Sequence, residues 1–140
     1  MVAFVVFVAA AILLASRMGE TSHAFARGSV VLPDELREQA KGARTLFIIA
    51  LGPDRPMPLG AIRQTLADDP AGTVYEFVLT AESMRAMGEG IVFPETFRLK
   101  ARLDRDGAGG PDQPGDLVGE VLEVKKGQKD VEIRISRVIP

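Results

Sequence analysis

The stretch TFRLKARLD, residues 96–104, carries the clearest structural signal in this 140-residue chain. Apolar and charged side chains alternate through it: every second residue from Phe97 to Leu103 is apolar, and those between them, from Arg98 to Asp104, are charged. A period of two is typical of a β-strand with one face buried and the other in water. We therefore expect the apolar face of this strand to line a core and the charged face to be solvated.

Six other segments have strand character. They are GSVVL from Gly28, RTLFIIAL from Arg44, PLGAIRQTL from Pro58, TVYEFVLT from Thr73, LVGEVLEV from Leu117 and DVEIRIS from Asp130. Turns rich in glycine, proline and aspartate separate them, and the near-continuous apolar run from Arg44 is typical of a central strand. Seven such strands predict an all-β domain over residues 28–140, an antiparallel β-sandwich of immunoglobulin-like or cupredoxin-like type. Short helical turns are expected at PDELREQAK, from Pro33, and TAESMRAM, from Thr80.

The N-terminal segment differs from the rest, because residues 2–15, VAFVVFVAAAILLA, contain no polar side chain. A membrane-spanning helix needs about 20 residues, so residues 1–18 are of borderline length. A signal peptide normally opens with lysine or arginine, and none is present. We predict a transmembrane anchor over residues 1–18, in contact with the bilayer through residues 2–18, and a linker over residues 19–27. A cleaved signal peptide is the alternative. The nearest positive charges, Arg17 and Arg27, follow the segment, and by charge alone they favour a cytoplasmic domain.

The composition excludes several kinds of site. The chain has no cysteine and one histidine, His23, which lies in the predicted linker. Thiol nucleophiles, disulfides, histidine-based triads and ordinary zinc sites are therefore excluded from the domain. The net charge of −2 does not favour nucleic-acid binding. We expect a non-catalytic module without a cofactor.

One segment resembles a ligand-binding loop: DRDGAGGPDQPGDLVGE, residues 104–120. Its Asp-x-Asp start is similar to a calcium loop, but Ala108 and Gly115 occupy positions where an EF-hand needs oxygen ligands. No Gly-Lys-Ser/Thr sequence follows, so a phosphate loop is also excluded. We predict a glycine-rich connection between two strands, in which Asp116 accepts hydrogen bonds from backbone N–H groups of a turn.

The order of the short motifs resembles the C-terminal periplasmic domain of the cytochrome c biogenesis factor CcmI (CycH). The matching positions are Leu32, Pro33 and Leu36; residues 45–50; residues 56–59 with Arg63; Met84 and Met87; Phe93 and Pro94; residues 101–103; and QPGDL at residues 113–117 with Gly119. The resemblance covers roughly residues 29–140.

This resemblance implies a domain in the periplasm, held to the bacterial inner membrane by the single anchor. It implies binding to apocytochrome c or to the haem-attachment machinery, with no catalysis. The structural motif residues are then Pro58, Leu59, Pro114, Gly115 and Asp116.

Four residues are candidates for contact with the partner: Met57, Met84, Met87 and Phe93. Methionine adapts to apolar partners, although the i, i+3 spacing of Met84 and Met87 equally fits core packing. These 140 residues match only one domain of the family's proteins. The chain could therefore instead be a permanent single-span accessory subunit of a respiratory or photosynthetic complex that contains c-type cytochrome.

Overall fold

The structure, a computed structural model, describes residues 24–53, 57–86 and 92–140. The predicted anchor, residues 1–18, and most of the predicted linker lie outside these ranges. Within them, no helix combines the length and the apolar character needed to cross a bilayer.

Nine β-strands and two short helical elements form in the described residues. The strands are β1 (Ala26–Leu32), β2 (Thr45–Leu51), β3 (Pro58–Thr65), β4 (Gly72–Leu79), β5 (Arg85–Ala86), β6 (Thr96–Asp104), β7 (Leu117–Lys125), β8 (Gln128–Arg134) and β9 (Arg137–Val138). A 3-10 turn at Asp34–Leu36 runs into helix α1 (Arg37–Ala40). All seven predicted strands are confirmed, and the two-residue strands β5 and β9 are additional.

The strands form two sheets with the core between them. One sheet has three strands in the order β4-β1-β8, and the other has six in the order β5-β3-β2-β6-β7-β9. The apolar positions of β6 are fully buried, from Phe97 to Leu103, and Val131, Ile133 and Ile135 enter the core from the other sheet. The β-sandwich prediction is confirmed, and β2 is central, as its apolar run indicates.

The prediction that all strands pair antiparallel is wrong for one pair. Strand β8 runs parallel to β1, with Gly28 opposite Val131 and Val30 opposite Ile133. The reason lies in the turn between β7 and β8, which passes the chain to the other sheet and does not close a hairpin. The N–H of Lys126 donates to the Glu95 carbonyl, beside β6, and the next N–H, of Gly127, donates to the Phe25 carbonyl, beside β1. Strand β8 therefore starts at the same end of the sandwich as β1.

Two glycines allow β8 to lie close to its sheet neighbour β1 and to β7 of the other sheet. A Cβ on Gly28 of β1 would lie 1.9 Å from the Val131 carbonyl oxygen, and one on Gly119 of β7 would lie 2.1 Å from that of Arg134. Neither distance is possible for a real side chain. Gly119, part of the family motif, is thus required by the close approach of β7 and β8.

The expectation that the polar face of β6 is solvated is wrong at Arg102 and Asp104, which are 2% and 1% exposed. The segment 105–116, between β6 and β7, folds back across that face and removes both side chains from water.

Of the two expected helical turns, the one after Pro33 is confirmed by the 3-10 turn and α1. At Thr80 the chain makes one turn, closed by the N–H of Met84 on the Thr80 carbonyl, and then enters β5. Thr80 and Ser83 bond reciprocally there, each backbone N–H donating to the other's hydroxyl oxygen. These bonds complete a compact turn, so no helix propagates.

Candidate functional site

The guanidinium of Arg102 lies inside the loop formed by residues 105–116. Its Nη1 donates to the Gly110 carbonyl at 2.7 Å and to Asp112 Oδ1 at 3.3 Å, and Nη2 donates to the Ala108 carbonyl at 3.4 Å. The guanidinium carbon lies 4.8 Å from the centre of the Phe47 ring. Arginine stacks well on aromatic rings and presents a planar fork of donors, which matches this environment.

Three aspartates surround the same guanidinium. Asp104 Oδ2 lies 3.4 Å from Arg102 Nε, and Asp116 Oδ2 lies 3.9 Å from it. Neither Nε nor Asp104 Oδ2 has a hydrogen-bond partner among the described residues. Burial raises the pKa of the Asp104 carboxyl, and the neighbouring Asp106 and Asp116 carboxyls act in the same direction. The side chain of Asp104, followed by the N–H of Ala108, lowers the pKa of Asp106.

Asp112 joins Arg102 to a second cation. Lys100 Nζ donates to Asp112 Oδ2 at 2.6 Å, and both side chains are mostly buried. Burial alone would raise the pKa of Asp112, but the hydrogen bond and charge of Lys100, followed by those of Arg102, outweigh it and lower this pKa. A charge-assisted pair of this length is among the stronger hydrogen bonds of a protein.

The QPGDL segment forms the turn that closes the loop. Asp116 Oδ2 accepts the N–H of Gln113 at 2.8 Å, and the N–H of Asp116 returns a bond to the Gln113 carbonyl at 3.0 Å. Gly115 has φ +91°, a conformation that favours glycine, and Pro114 precedes it at the surface. The prediction for Asp116 is confirmed.

The resemblance of residues 104–120 to a cation-binding loop has a physical basis, because the loop binds the cationic side chain of Arg102. In the part of the chain that the structure describes, no cluster of three acidic or histidine side chains could hold a metal ion. One feature of the sequence pointed to this arrangement, namely the several aspartates that follow the alternating strand. The alternation of side chains could not show that these aspartates surround Arg102.

The outer edge of β4 is one of the two edges of the three-stranded sheet. This eight-residue strand pairs with β1 on one side and has no neighbouring strand on the other within the described residues. The Val78 carbonyl accepts a bond from Ser83 Oγ at 3.0 Å, so it points away from β1. Backbone direction alternates along a strand, so the groups of Glu76 also point outward. The six-stranded sheet, by contrast, ends in the two-residue strands β5 and β9.

A cleft of about 460 Å³ lies on the outer face of the three-stranded sheet and is lined by residues of all three strands, including β4. Its lining includes Ser29 of β1, Glu76 and Val78 of β4, and Lys129 and Glu132 of β8. The lining is mixed in charge and polarity, which suits contact with a peptide chain. An edge strand with a cleft beside it is the geometry that β-augmentation uses.

The four predicted contact residues have different environments. Met57 is 56% exposed, just before β3, and Met84 is 7% exposed and packs in the core. Phe93 is half-buried, with its ring stacked on Phe25 at 4.2 Å and edge-on to Phe97 at 4.8 Å. Met87 lies outside the described residues. Contact between these residues and a partner stays a prediction.

The other two motif residues, Pro58 and Leu59, begin β3. Pro58 is opposite Leu51 at a shift in the strand register, where the absence of an N–H is tolerated, and Leu59 is 2% exposed in the core. Their contribution is therefore structural.

In a comparison with known protein families, the model of the cytochrome c-type biogenesis protein H Ig-like domain matches residues 27–136. The chain belongs to this family. The match covers the sandwich from β1 to the two residues that follow β8, and it includes the loop around Arg102. The family likeness given by the ordered motifs is confirmed. No curated protein and no solved structure matches the chain.

The Ig-like architecture accounts for the motif residues of this CycH-family domain. Gly115 and Asp116 form the turn at the end of the loop, and Leu59 packs in the core. Gly119 has no side chain to clash with β8. Membership in the family supports a role in c-type cytochrome biogenesis.

Proposed function

We propose that this chain is a membrane-anchored, periplasmic, non-catalytic module of c-type cytochrome biogenesis that binds apocytochrome c or the haem-attachment machinery. The family match over residues 27–136 is the observation that carries the proposal. The anchor is residues 1–18 and rests on their apolar sequence. The resemblance to the family implies a periplasmic domain at the inner membrane, and the single span is the predicted anchor of this chain.

The outer edge of β4 is the binding surface in this proposal. An unfolded or partly folded polypeptide offers free backbone N–H and C=O groups, and the outward groups around Glu76 can pair with them. The cleft lined by Ser29, Val78 and Lys129 then receives alternate side chains of the added strand. Backbone pairing tolerates variation in sequence, which suits a module that receives chains before they fold.

The test uses the full chain in detergent micelles and a synthetic peptide from the C-terminal part of an apocytochrome c. Glu76→Pro removes the outward N–H of the edge, and Glu76→Ala is the matched control that removes only the side chain. We expect peptide binding with wild type and with E76A, and at least a tenfold weaker affinity with E76P, a loss of about 1.4 kcal/mol.

Thermal melting followed by circular dichroism establishes that both variants fold. If E76P does not fold, hydrogen exchange on the wild type replaces it, and the peptide should slow exchange of the Glu76 amide. Absence of peptide binding at about 50 µM, with the domain folded, would contradict the chaperone-like function. Stoichiometric co-purification with a cytochrome-containing membrane complex would then favour the accessory-subunit alternative.

A further inference from the structure

The large apolar side chains that remain exposed lie toward one end of the sandwich. Among the described residues they are Met57, Val78, Val92 and Leu122, with Val92 84% exposed. Strand pairing places each of them: Val78 lies opposite Arg27 at the start of β1, and Leu122 lies between the partners of Leu99 and Phe97. Met57 and Val92 come just before β3 and β6. We call this the β1 end, because β1 begins there.

An aromatic cluster adjoins Val92 at the β1 end. The next residue, Phe93, stacks on Phe25 with the two rings within 2° of parallel, and it also packs against Phe97. Phe97 is fully buried. The exposed Val92 is therefore the neighbour in sequence of an aromatic cluster that reaches into the core.

Lysines accompany this apolar surface. Strand β7 ends at Lys125, the turn that follows contains Lys126, and β8 carries Lys129; all three lysines are exposed. Lys126 Nζ lies 5.9 Å from the centre of the Phe25 ring, and the N–H of Gly127 donates to the Phe25 carbonyl at 2.7 Å. Exposed acids are also present, with Glu123 and Asp130 near the lysines in sequence and Glu95 three residues after Val92, so the surface is mixed in charge.

The opposite end has a different character. It presents exposed ion pairs, between Arg37 and Asp69 and between Arg44 and Asp68, together with the loop around Arg102. None of the large exposed apolar side chains in the described ranges lies there. The two ends therefore differ in the surface that they offer to an apolar or interfacial partner.

The sequence indicates which end faces a bilayer. Residues 2–15 are entirely apolar, and residues 16–23 separate them from the first described residue, Ala24. Eight residues span at most about 29 Å when fully extended. If the apolar segment enters a membrane, the β1 end is the part of the domain held nearest to it.

We propose that the β1 end rests on the lipid surface, with Met57 and Val92 inserted among the headgroups and Lys125 and Lys126 paired with anionic lipid phosphates. Single apolar side chains beside lysines are the combination that interfacial binding uses, and each basic residue near an anionic surface adds to the attraction. This inference rests on the anchoring part of the proposed function. The β4 edge runs along the side of the sandwich, from Gly72 at the far end to Leu79 at the β1 end.

The experiment uses the natural absence of cysteine, which makes any introduced cysteine a unique labelling site. Val92→Cys carries a fluorophore at the β1 end, and Gly109→Cys carries it in the distal loop, where no neighbouring atom restricts a side chain. The full chain is reconstituted into vesicles of phosphatidylcholine with or without phosphatidylglycerol, each containing a nitroxide-labelled lipid as quencher. We expect several-fold stronger quenching at position 92 than at position 109, and more of it with phosphatidylglycerol. Lys126→Glu should reduce that difference.

The outcomes separate the two proposals. A chain that does not associate with vesicles contradicts the anchoring in the proposed function, and this inference with it. A chain that inserts but shows equally weak quenching at both positions overturns this inference alone. Shielding of position 92 only when an apocytochrome c peptide is added would also overturn it, since the β1 end would then be a protein contact.

Discussion

Ile135 and Ser136 are consecutive residues whose backbone N–H groups bond to opposite sheets of the sandwich. The N–H of Ile135 donates to the Val31 carbonyl of β1 at 2.9 Å, and that of Ser136 donates to the Val118 carbonyl of β7 at 2.9 Å. Two adjacent peptide groups thus connect the three-stranded and six-stranded sheets. The turn before β8 does the same with Lys126 and Gly127, so β8 is fixed to both sheets at each of its ends.

Replacing Ser136 by proline should destabilise the domain by about 1–3 kcal/mol, because it removes the N–H and leaves the buried Val118 carbonyl without that donor. Ser136→Ala is the matched control, since it keeps the N–H and loses only the weak bond from Ser136 Oγ at 3.4 Å. Urea unfolding of both variants measures the difference. Equal stabilities of the two variants would show that the bond from the Ser136 N–H to Val118 contributes little to the free energy of unfolding.

Alanine at Gly28 or Gly119 should cost about 3 kcal/mol or more, or prevent folding, because the new Cβ would overlap a backbone oxygen of β8. Gly109→Ala is the control, as its Cβ would meet no neighbouring atom, and its stability should stay within about 0.5 kcal/mol of wild type. Chemical unfolding, or the soluble yield where a variant does not fold, checks the prediction. A well-folded Gly119→Ala domain would contradict the close approach of β7 and β8.

Arg102→Met should destabilise the domain by about 3–5 kcal/mol, because it leaves Asp104 and Asp116 buried without their cation. Adding Asp104→Asn should restore part of the loss, since asparagine removes one buried charge and keeps the oxygen that accepts the N–H groups of Asp106 and Gly107. The control is Arg44→Met, at an exposed ion pair, with an expected change below about 1 kcal/mol. A double mutant less stable than Arg102→Met would contradict this account.

Asp112→Asn should destabilise the domain at neutral pH, where the ionised carboxylate is held by Lys100 and Arg102. The pKa of Asp112 is lowered in the folded state from its ordinary 3.8, so its stabilisation is present above about pH 3.8 and is lost as the pH falls through the folded value. The difference in free energy of unfolding between wild type and D112N should therefore shrink below pH 3.8. A pH-independent difference would show that the charge of Asp112 is not its source.

The strands could be predicted because a period of two reports directly which side chains share a face. The same period could not show what covers the outer face of β6. Arg102 and Asp104 occupy the polar positions of the pattern, and their burial depends on a loop that returns over them. The turn at Asp116 was predictable because its hydrogen bonds are local.

The parallel pairing of β1 with β8 and the open edge of β4 were not predictable from local pattern. Both depend on which strands become neighbours, and alternation carries no information on that choice. Gly119 shows the same limit, since it lies in an ordinary strand sequence and its necessity comes from the Arg134 carbonyl of another strand. The ordered motifs were sufficient to identify the family, but they did not show the structural role of each motif residue.

The parallel pair also fixes the order in which the domain can be completed. Strand β1 is the first of the described strands in chain order, and its parallel partner β8 is the eighth. Until β8 has emerged, β1 can pair only with β4, as a two-stranded ribbon that is marginally stable by itself. The growing chain therefore keeps β1 open to other strands until β8 has been synthesised.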